Sequence, residues 1–254
     1  MSLEQASGRV WADTSGLNGG NYGAIILSEE IIMVDSGMYH QVSKKTHEFM
    51  SDMFEPTVSK LVFTHSHRDH LFGAQAFREA ARLSSQAMLE ICLQNLKDQW
   101  DREKMLEEAK EIKESRPLYW EALQDLEILL PESTFTEPLE LGEGVTVKHV
   151  GGHTRGSSVV VVEPEHILFS GDLIFNKAFP YAGDPSCNPD RWIEVLEELL
   201  ADQYNQIVPG HGKLCDDEAI EEHLDLLKTL RINVKESLVE NLTVEEFIDR
   251  GLVP

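Results

Sequence analysis

The sequence has 254 residues, of which 41% are hydrophobic and 26% charged, a balance that is ordinary for a globular protein. Its formal net charge of −23 disfavours nucleic acid as a partner, because phosphate binding draws on clusters of lysine and arginine. No apolar run reaches the length of a membrane span, so we expect no membrane partner. The three cysteines are odd in number and scattered, which favours a reducing, cytoplasmic compartment.

The first third of the chain alternates between strand and helix patterns. Strands are predicted at residues 22–27 and 31–34, followed by a helix at 42–54 and a short strand at 61–63. A further helix is predicted over residues 73–81. Alternation of this kind favours an α/β architecture.

The pattern changes between about residues 85 and 130, where strand signals vanish and helical spacing with many charged residues begins. We interpret this segment as a helical insertion. Its apolar side chains could line a substrate pocket as part of a lid, or they could pack the insertion onto the body or a second subunit, and both readings stay open. The residues in question are Met88, Ile91, Leu96, Trp100, Met105 and Trp120.

Strand signals return in the second half of the chain, at residues 145–150, 158–162, 167–169 and 207–208. Between the last two, Asn188 and Pro189 mark a helix start, with Asn188 as the cap and Pro189 at the first helical position. Residues from about 216 to 250 are predicted to form C-terminal helices. We therefore expect residues 1–254 to form a single domain that carries the helical insertion.

Potential metal ligands follow the predicted strands. Residues 64–70, Thr-His-Ser-His-Arg-Asp-His, come directly after a buried strand and contain four candidate ligands: His65, His67, Asp69 and His70. The other candidates stand in turns after further predicted strands: Asp35, His153, Asp172 and His211. Strand ends converge on one edge of a layered α/β fold, and imidazole and carboxylate are ligands of zinc and iron. The sequence therefore indicates a metal site at that edge.

The spacing within residues 64–70 indicates how the ligands divide. In an extended segment, the alternation of His65, His67 and Asp69 would point all three side chains to one side. His70 would then face differently and could serve a second metal ion nearby.

Together these motifs resemble those of the metallo-β-lactamase superfamily of dinuclear metallohydrolases. The His-x-His-x-Asp-His motif stands at residues 65–70. The later motifs appear as Gly152-His153-Thr154, Ser170-Gly171-Asp172 and Gly210-His211-Gly212. The resemblance covers roughly residues 20–215 and implies a four-layer αββα sandwich with the metal site along one edge, between two sheets.

The resemblance also implies a role for each ligand. The first divalent metal ion would be held by His65, His67 and His153. The second would be held by Asp69, His70 and His211. Asp172 would bridge both ions, and Asp35 would support the ligands without binding metal itself. Zinc is the expected metal, with iron and manganese as alternatives.

The chemistry expected of such a centre is hydrolysis. Two cations about 3.5–4 Å apart stabilise a shared hydroxide near neutral pH and polarise the bond to be attacked. We therefore expect a dinuclear metal-dependent hydrolase that uses a metal-bridging hydroxide, with Asp69 as the catalytic proton shuttle. A non-catalytic metal-binding protein of the same fold is the alternative from another functional class.

The resemblance narrows the substrate to a class of small molecules. Asp172 argues against typical β-lactamases, which generally lack this carboxylate bridge, and the net charge disfavours the nucleases of the superfamily. A small ester, thioester or lactone is expected, as in glyoxalase II and the lactonases, with β-lactams and phosphodiesters as alternatives. Quorum-signal lactonases usually carry tyrosine where Phe175 stands, which weakens that assignment.

Candidate substrate contacts are Phe175, Asn176, Lys177 and Tyr181, which follow the bridging aspartate in the chain. The sequence leaves open whether the protein forms a homodimer.

Overall fold

The computed structural model describes residues 3–253 and contains two β-sheets with helices on their outer faces. Seven strands form the first sheet, in chain order: β1 (Leu3–Gln5), β2 (Val10–Asp13), β3 (Tyr22–Ile26), β4 (Glu30–Val34), β5 (Thr57–Val62), β6 (Ala81–Ser85) and β7 (Ser133–Phe135). The five strands of the second sheet are β8 (Leu139–Gly142), β9 (Val145–His149), β10 (Ser158–Val162), β11 (Ile167–Phe175) and β12 (Gln206–His211). β1 to β4 pair antiparallel, whereas β4 to β7 pair parallel through helical connections.

The helices that connect the strands are α1 (His40–Met53), α2 (Arg68–Leu71), the 3-10 helix Phe72–Phe77, α3 (Gln86–Asn95), α4 (Arg102–Glu111), α5 (Pro117–Gln124) and α6 (Pro189–Asp202). After the last strand come α7 (Asp217–Glu240) and α8 (Val244–Asp249). Asn188 caps α6 as expected, because its side chain accepts a hydrogen bond from the backbone amide of Arg191. None of the helices in the described part of the chain has the length and apolar character needed to cross a membrane.

Strand residues alternate between two cores, and this alternation defines the layers of the fold. In β4, Ile32 and Val34 pack between the two sheets, whereas Ile31 and Met33 pack on the helical side of the first sheet. The valines of β10 alternate in the same way between the inter-sheet core and a third core formed with α6 and α7. Successive side chains of a strand point to opposite faces, so both sheets are covered on both sides. The expected four-layer αββα sandwich is confirmed.

β11 is longer than the sequence pattern indicates. It continues through Ser170-Gly171-Asp172, so the expectation that these residues form a turn after the strand is wrong. Gly171 has a φ of +51°, and the pairing of β11 with β12 shifts register on both sides of this residue. The sequence Ser-Gly-Asp is typical of a turn, but a glycine at positive φ also permits a bulge within a continuing strand. Asp172 therefore extends from inside a buried strand.

The other differences concern short strands. Residues 73–81 do not form the expected helix, because a 3-10 helix covers Phe72–Phe77 and β6 begins at Ala81. β6 has the sequence Ala-Arg-Leu-Ser-Ser, which contains no β-branched residue and therefore has a weak preference for a strand. Its pairing with β5 and β7 outweighs this weak local preference.

The apolar residues of the helical segment mostly pack against the rest of the protein. Met88 and Met105 are fully buried in the core beside the first sheet, and Trp100 is nearly so. Trp120 is partly buried against the same core, whereas Leu96 is exposed. Packing onto the body is therefore the main role of these side chains.

We predict that Met105→Ala lowers the free energy of unfolding by about 2–5 kcal/mol, because Met105 is fully buried and its truncation leaves a cavity. Leu93→Ala is the matched control. Leu93 is 47% exposed on α3, and its truncation should change the same quantity by about 0.5 kcal/mol or less. Denaturant titration followed by circular dichroism measures both variants. Equally small effects would contradict the packed arrangement.

Candidate metal centre

The first sheet supplies ligands from the loop after β5 and from the start of α2. His65 and His67 lie in the loop, and His67 is the extended residue immediately before the helix. Asp69 and His70 lie within α2 itself. The expectation that His65, His67 and Asp69 alternate along one extended segment is therefore wrong for Asp69, because the chain turns into a helix at Arg68.

The second sheet supplies the remaining ligands. His153 follows β9, Asp172 lies within β11, and His211 is the last residue of β12. The expectation that His211 stands in a turn after a strand is therefore wrong, because β12 continues to this residue. All seven candidate ligands come together, and they form groups of imidazole and carboxylate atoms that could hold a metal ion.

One group consists of three histidines and one oxygen of Asp172. Asp172 Oδ2 lies 3.5 Å from His65 Nε2, 3.4 Å from His153 Nε2 and 3.9 Å from His67 Nδ1. His153 Nε2 lies 3.1 Å from His67 Nδ1. Ligand atoms bound at about 2.0–2.1 Å to a tetrahedral zinc ion are roughly 3.4 Å apart, so these separations suit such an ion.

A second group faces the other oxygen of Asp172. Asp172 Oδ1 lies 3.0 Å from His70 Nε2 and 3.4 Å from His211 Nε2. Asp69 Oδ2 lies 3.4 Å from His211 Nε2 and 4.0 Å from His70 Nε2. The two oxygens of one carboxylate therefore face two different sets of ligands.

Asp35 fixes the orientation of two of the histidines. Its Oδ2 accepts hydrogen bonds from His70 Nδ1 at 2.8 Å and from Thr64 Oγ1 at 2.7 Å, and its Oδ1 accepts from the Thr64 amide at 2.7 Å. Because Thr64 Oγ1 donates to Asp35, it accepts from His65 Nδ1 at 3.0 Å. Both imidazoles thus carry their proton on Nδ1, which leaves the Nε2 lone pair of each free to bind a metal. Asp35 also lies near His65 and His70 in a third group of this kind, but its oxygens are used by these hydrogen bonds.

The Nε2 atoms of His65 and His70 are buried, as is Asp172 Oδ1, and none of the three has a hydrogen-bond partner among the described residues. A buried polar atom without a partner costs about 1–3 kcal/mol. Lone pairs and a carboxylate are suitable ligands for a cation, so the residues present fit a metal ion. Gly20 and Gly210 preserve the space, since a Cβ at either position would overlap the His70 ring or Asp172 Oδ1.

The charges at the centre favour an ionised carboxylate. Burial alone would raise the pKa of Asp172, but the positive charge of the surrounding histidines, His70 foremost, holds this pKa well below its usual range. Burial lowers the pKa of His65 to about 3, so its imidazole is neutral at physiological pH. A buried anionic carboxylate beside a neutral imidazole is a suitable donor set for a divalent metal ion.

Asp184 supports His67, and the sequence reasoning missed it. Its Oδ2 accepts a hydrogen bond from His67 Nε2 at 3.2 Å, which leaves His67 Nδ1 facing the other ligands. Asp184 Oδ1 accepts from the Ser186 amide at 2.7 Å and from Ser186 Oγ at 2.5 Å. Asp184 lies in the loop after β11 and belongs to none of the recognised motifs. The only local signal is the Asp-Pro-Ser turn that holds it.

A cavity of about 620 Å³ opens beside the centre. Its lining includes the ligands His67, Asp69, Asp172 and His211, together with Phe175 and Tyr181. The helical segment contributes Asn95, Gln99, Trp100 and Arg116. The segment therefore packs onto the body and also forms one wall of this cavity.

The four candidate substrate contacts lie in different places. Tyr181 is 56% exposed in the cavity, with its ring 5.5 Å from that of His67, and Phe175 stacks on His211 at 5.0 Å. Asn176 and Lys177 line a separate cavity of about 320 Å³, which Phe175 also borders. Asn176 Nδ2 donates to the Lys213 carbonyl at 3.0 Å, and Lys177 pairs with Glu222. The structure does not bring these two side chains to the metal ligands.

Comparison with known proteins identifies the family. The sequence profile of the metallo-beta-lactamase superfamily matches residues 15–211, which is more than half of the chain. The chain belongs to the metallo-beta-lactamase superfamily. This membership confirms the resemblance on which the ligand assignment rests. The glyoxalase II-like branch within the superfamily stays a prediction.

Relatives within the superfamily differ in the activities for which they are named. The chain is 26% identical over 237 residues to a metallo-beta-lactamase type 2 from Bacillus sp. (strain 170), covering 90% of this chain and 82% of the relative. It is 28% identical over 172 residues to an acyl-coenzyme A thioesterase from Gallus gallus, covering 63% and 58%. A metallo-beta-lactamase structure from Hirschia baltica superposes with a TM-score of 0.67 at 15% identity, covering 89% of this chain and 98% of that one, and shows the shared fold.

We predict that Asp184→Ala weakens zinc binding by about tenfold, because loss of a carboxylate behind a ligand typically costs 10–100-fold. Asp184→Asn should lose less, since its amide oxygen can still accept the His67 Nε2 proton. Competition with a chromophoric chelator measures both affinities. Asp190→Ala removes a carboxylate that pairs with Arg231 on the surface and serves as the control. Unchanged zinc affinity in Asp184→Ala would contradict the supporting role.

Proposed function

We propose that the protein is a dinuclear metal-dependent hydrolase that cleaves a small ester, thioester or lactone. The observation that carries this proposal is the position of Asp172, whose two oxygens face two separate groups of ligands. Zinc is the proposed metal, because groups of imidazole and carboxylate with these separations suit it.

In this proposal the first ion would be held by His65, His67 and His153, the second would be held by Asp69, His70 and His211, and Asp172 would contribute to both. Divalent ions here would supply Lewis acidity toward the bond to be cleaved and a nucleophile derived from water at neutral pH. Asp35 and Asp184 hold three of the histidines in the orientation that leaves a ring lone pair for metal.

Asp69 is the proposed proton shuttle because it is the more accessible of the two ligand carboxylates. Its side chain is 27% exposed, against 3% for Asp172, and it borders the cavity. A carboxylate in this position can accept a proton as the nucleophile attacks and return it to the leaving group.

The cavity supports a small-molecule substrate. Its volume of about 620 Å³ falls within the range typical of small-molecule sites. The thioesterase named among the relatives supports a thioester. Similarity to a metallo-beta-lactamase over 90% of the chain makes β-lactam hydrolysis the second candidate, although the carboxylate at position 172 argues against it.

A screen of the zinc-loaded protein tests the proposed function. The compounds are γ- and δ-lactones, acyl thioesters, aryl esters, phosphodiesters and β-lactams, and kcat/KM is compared between them. We expect the highest value for an ester, thioester or lactone. The highest value for a β-lactam would favour the second candidate, and hydrolysis of none of these compounds would contradict a hydrolase.

We predict that His67→Ala and Asp172→Ala each lower kcat/KM by at least about a hundredfold. Mutation of a residue that supports a metal ligand typically lowers activity by about 10–100-fold, and removal of the ligand itself should cost at least the upper end of this range. His149→Ala is the histidine control, because His149 is exposed at the end of β9 and its side chain hydrogen-bonds to the Arg155 carbonyl, away from the candidate ligands. Circular dichroism checks that each variant is folded. Undiminished turnover in either ligand variant would refute the mechanism.

A further inference from the structure

The arginines of the chain fall into two sets. Seven of the ten form an ion pair with a carboxylate. Within residues 3–253, the arginines without such a pair are Arg68, Arg102 and Arg116. Acidic residues outnumber basic ones by 45 to 22, so carboxylate partners are plentiful in this chain. An arginine that remains without one therefore needs an explanation.

Arg102 has a structural explanation. It donates to the backbone carbonyls of Leu123 and Gln124, and these hydrogen bonds join the start of α4 to the end of α5. It does not line the cavity beside the metal centre.

Arg68 and Arg116 both line that cavity. Arg68 stands between two ligands in the chain and donates to Tyr119 Oη at 3.3 Å and to the Gln99 carbonyl at 2.5 Å, so its neighbours in hydrogen bonding are neutral. Arg116 precedes α5, is exposed, and forms no side-chain hydrogen bond with a described residue. Its charge acts on Tyr39, another residue of the cavity wall: burial raises the pKa of Tyr39, and the Arg116 charge opposes this rise.

The carboxylates of the cavity do not neutralise these guanidinium groups. Asp69, Asp172 and Asp184 are the acidic residues of its lining, and each lies within 4 Å of histidine nitrogens of the metal centre. Two positive charges thus remain on the cavity wall of a strongly acidic protein. A guanidinium group binds carboxylate, sulfate or phosphate oxygens with paired, directional hydrogen bonds.

We propose that Arg116, together with Arg68, binds an anionic group of the substrate away from the bond that is cleaved. The substrates would then be anionic esters, thioesters or lactones, and the helical segment that carries Arg116 would determine this preference. This inference rests on the proposed hydrolase function.

Two thioesters that share the same scissile bond test the inference. S-butanoyl-N-acetylcysteine carries a carboxylate, and S-butanoyl-N-acetylcysteamine replaces it with hydrogen. The wild type should favour the anionic compound by about tenfold in kcat/KM, as expected for a charge-assisted contact in a site open to solvent. Arg116→Gln should remove this preference by raising KM for the anionic compound alone. Equal loss for both compounds, or an unchanged preference, would overturn the proposal.

Arg102→Gln is the matched control, because it removes an arginine of the same helical segment that lies off the cavity. It should affect both thioesters alike and keep their ratio. A ratio that falls as far in Arg102→Gln as in Arg116→Gln would show a general loosening of the segment and overturn a specific contact.

Equilibrium binding separates this inference from the proposed function. Calorimetry compares S-butyl-N-acetylcysteine with S-butyl-N-acetylcysteamine, two thioethers that cannot be hydrolysed. The wild type should bind the anionic thioether about tenfold more tightly, and Arg116→Gln should bind both alike. If neither thioester is hydrolysed, thioester hydrolysis is refuted, and the relative affinity for the two thioethers still tests whether Arg116 binds an anionic group. If both are hydrolysed and the thioethers bind equally, the hydrolase stands and the anion site is refuted.

Discussion

The carboxylate of Asp172 is the interaction on which the centre depends, because each of its oxygens faces a different group of ligands. A buried carboxylate is costly unless charges or donors surround it, and here histidines from both sheets do so. The bulge at Gly171 shifts the register between β11 and β12, so that β11 continues beyond Gly171 and brings Asp172 to this position. Gly210 on the neighbouring strand leaves the space that Asp172 Oδ1 occupies. The irregularity of β11 thus has a direct consequence for the chemistry of the site.

Two outer carboxylates orient the histidines around Asp172, and they differ in setting. Asp35 is buried at the end of β4, where its hydrogen bonds reach His70 directly and His65 through Thr64. Asp184 is partly buried, with its side chain 11% exposed, and lies in a loop that lines the cavity. One side of the centre is therefore fixed by the core of the first sheet. The other side borders the space in which a substrate would bind, so a change in the loop around Asp184 would affect both metal affinity and substrate access.

The seven candidate ligands could be chosen from the sequence because each stands in a short polar segment beside an apolar strand. The strand and helix patterns indicated only an α/β architecture, and the four layers were predicted from the resemblance to the superfamily. Asp184 could not be chosen, since its contact with His67 joins residues 117 positions apart and no local pattern encodes it. The continuation of β11 could not be predicted, because the sequence Ser170-Gly171-Asp172 is typical of a turn and only the structure shows that Gly171 forms a bulge at positive φ. The burial of Met105 depends on how the helical segment packs, which periodicity alone does not determine.

Anomalous diffraction at the zinc edge, from crystals of the zinc-loaded protein, tests the bridging role of Asp172 most directly. Two peaks about 3.5–4 Å apart are expected, one beside Asp172 Oδ2 with His65, His67 and His153, and the other beside Oδ1 with Asp69, His70 and His211. A single peak, or two peaks of which only one lies beside Asp172, would contradict a centre built around this shared carboxylate.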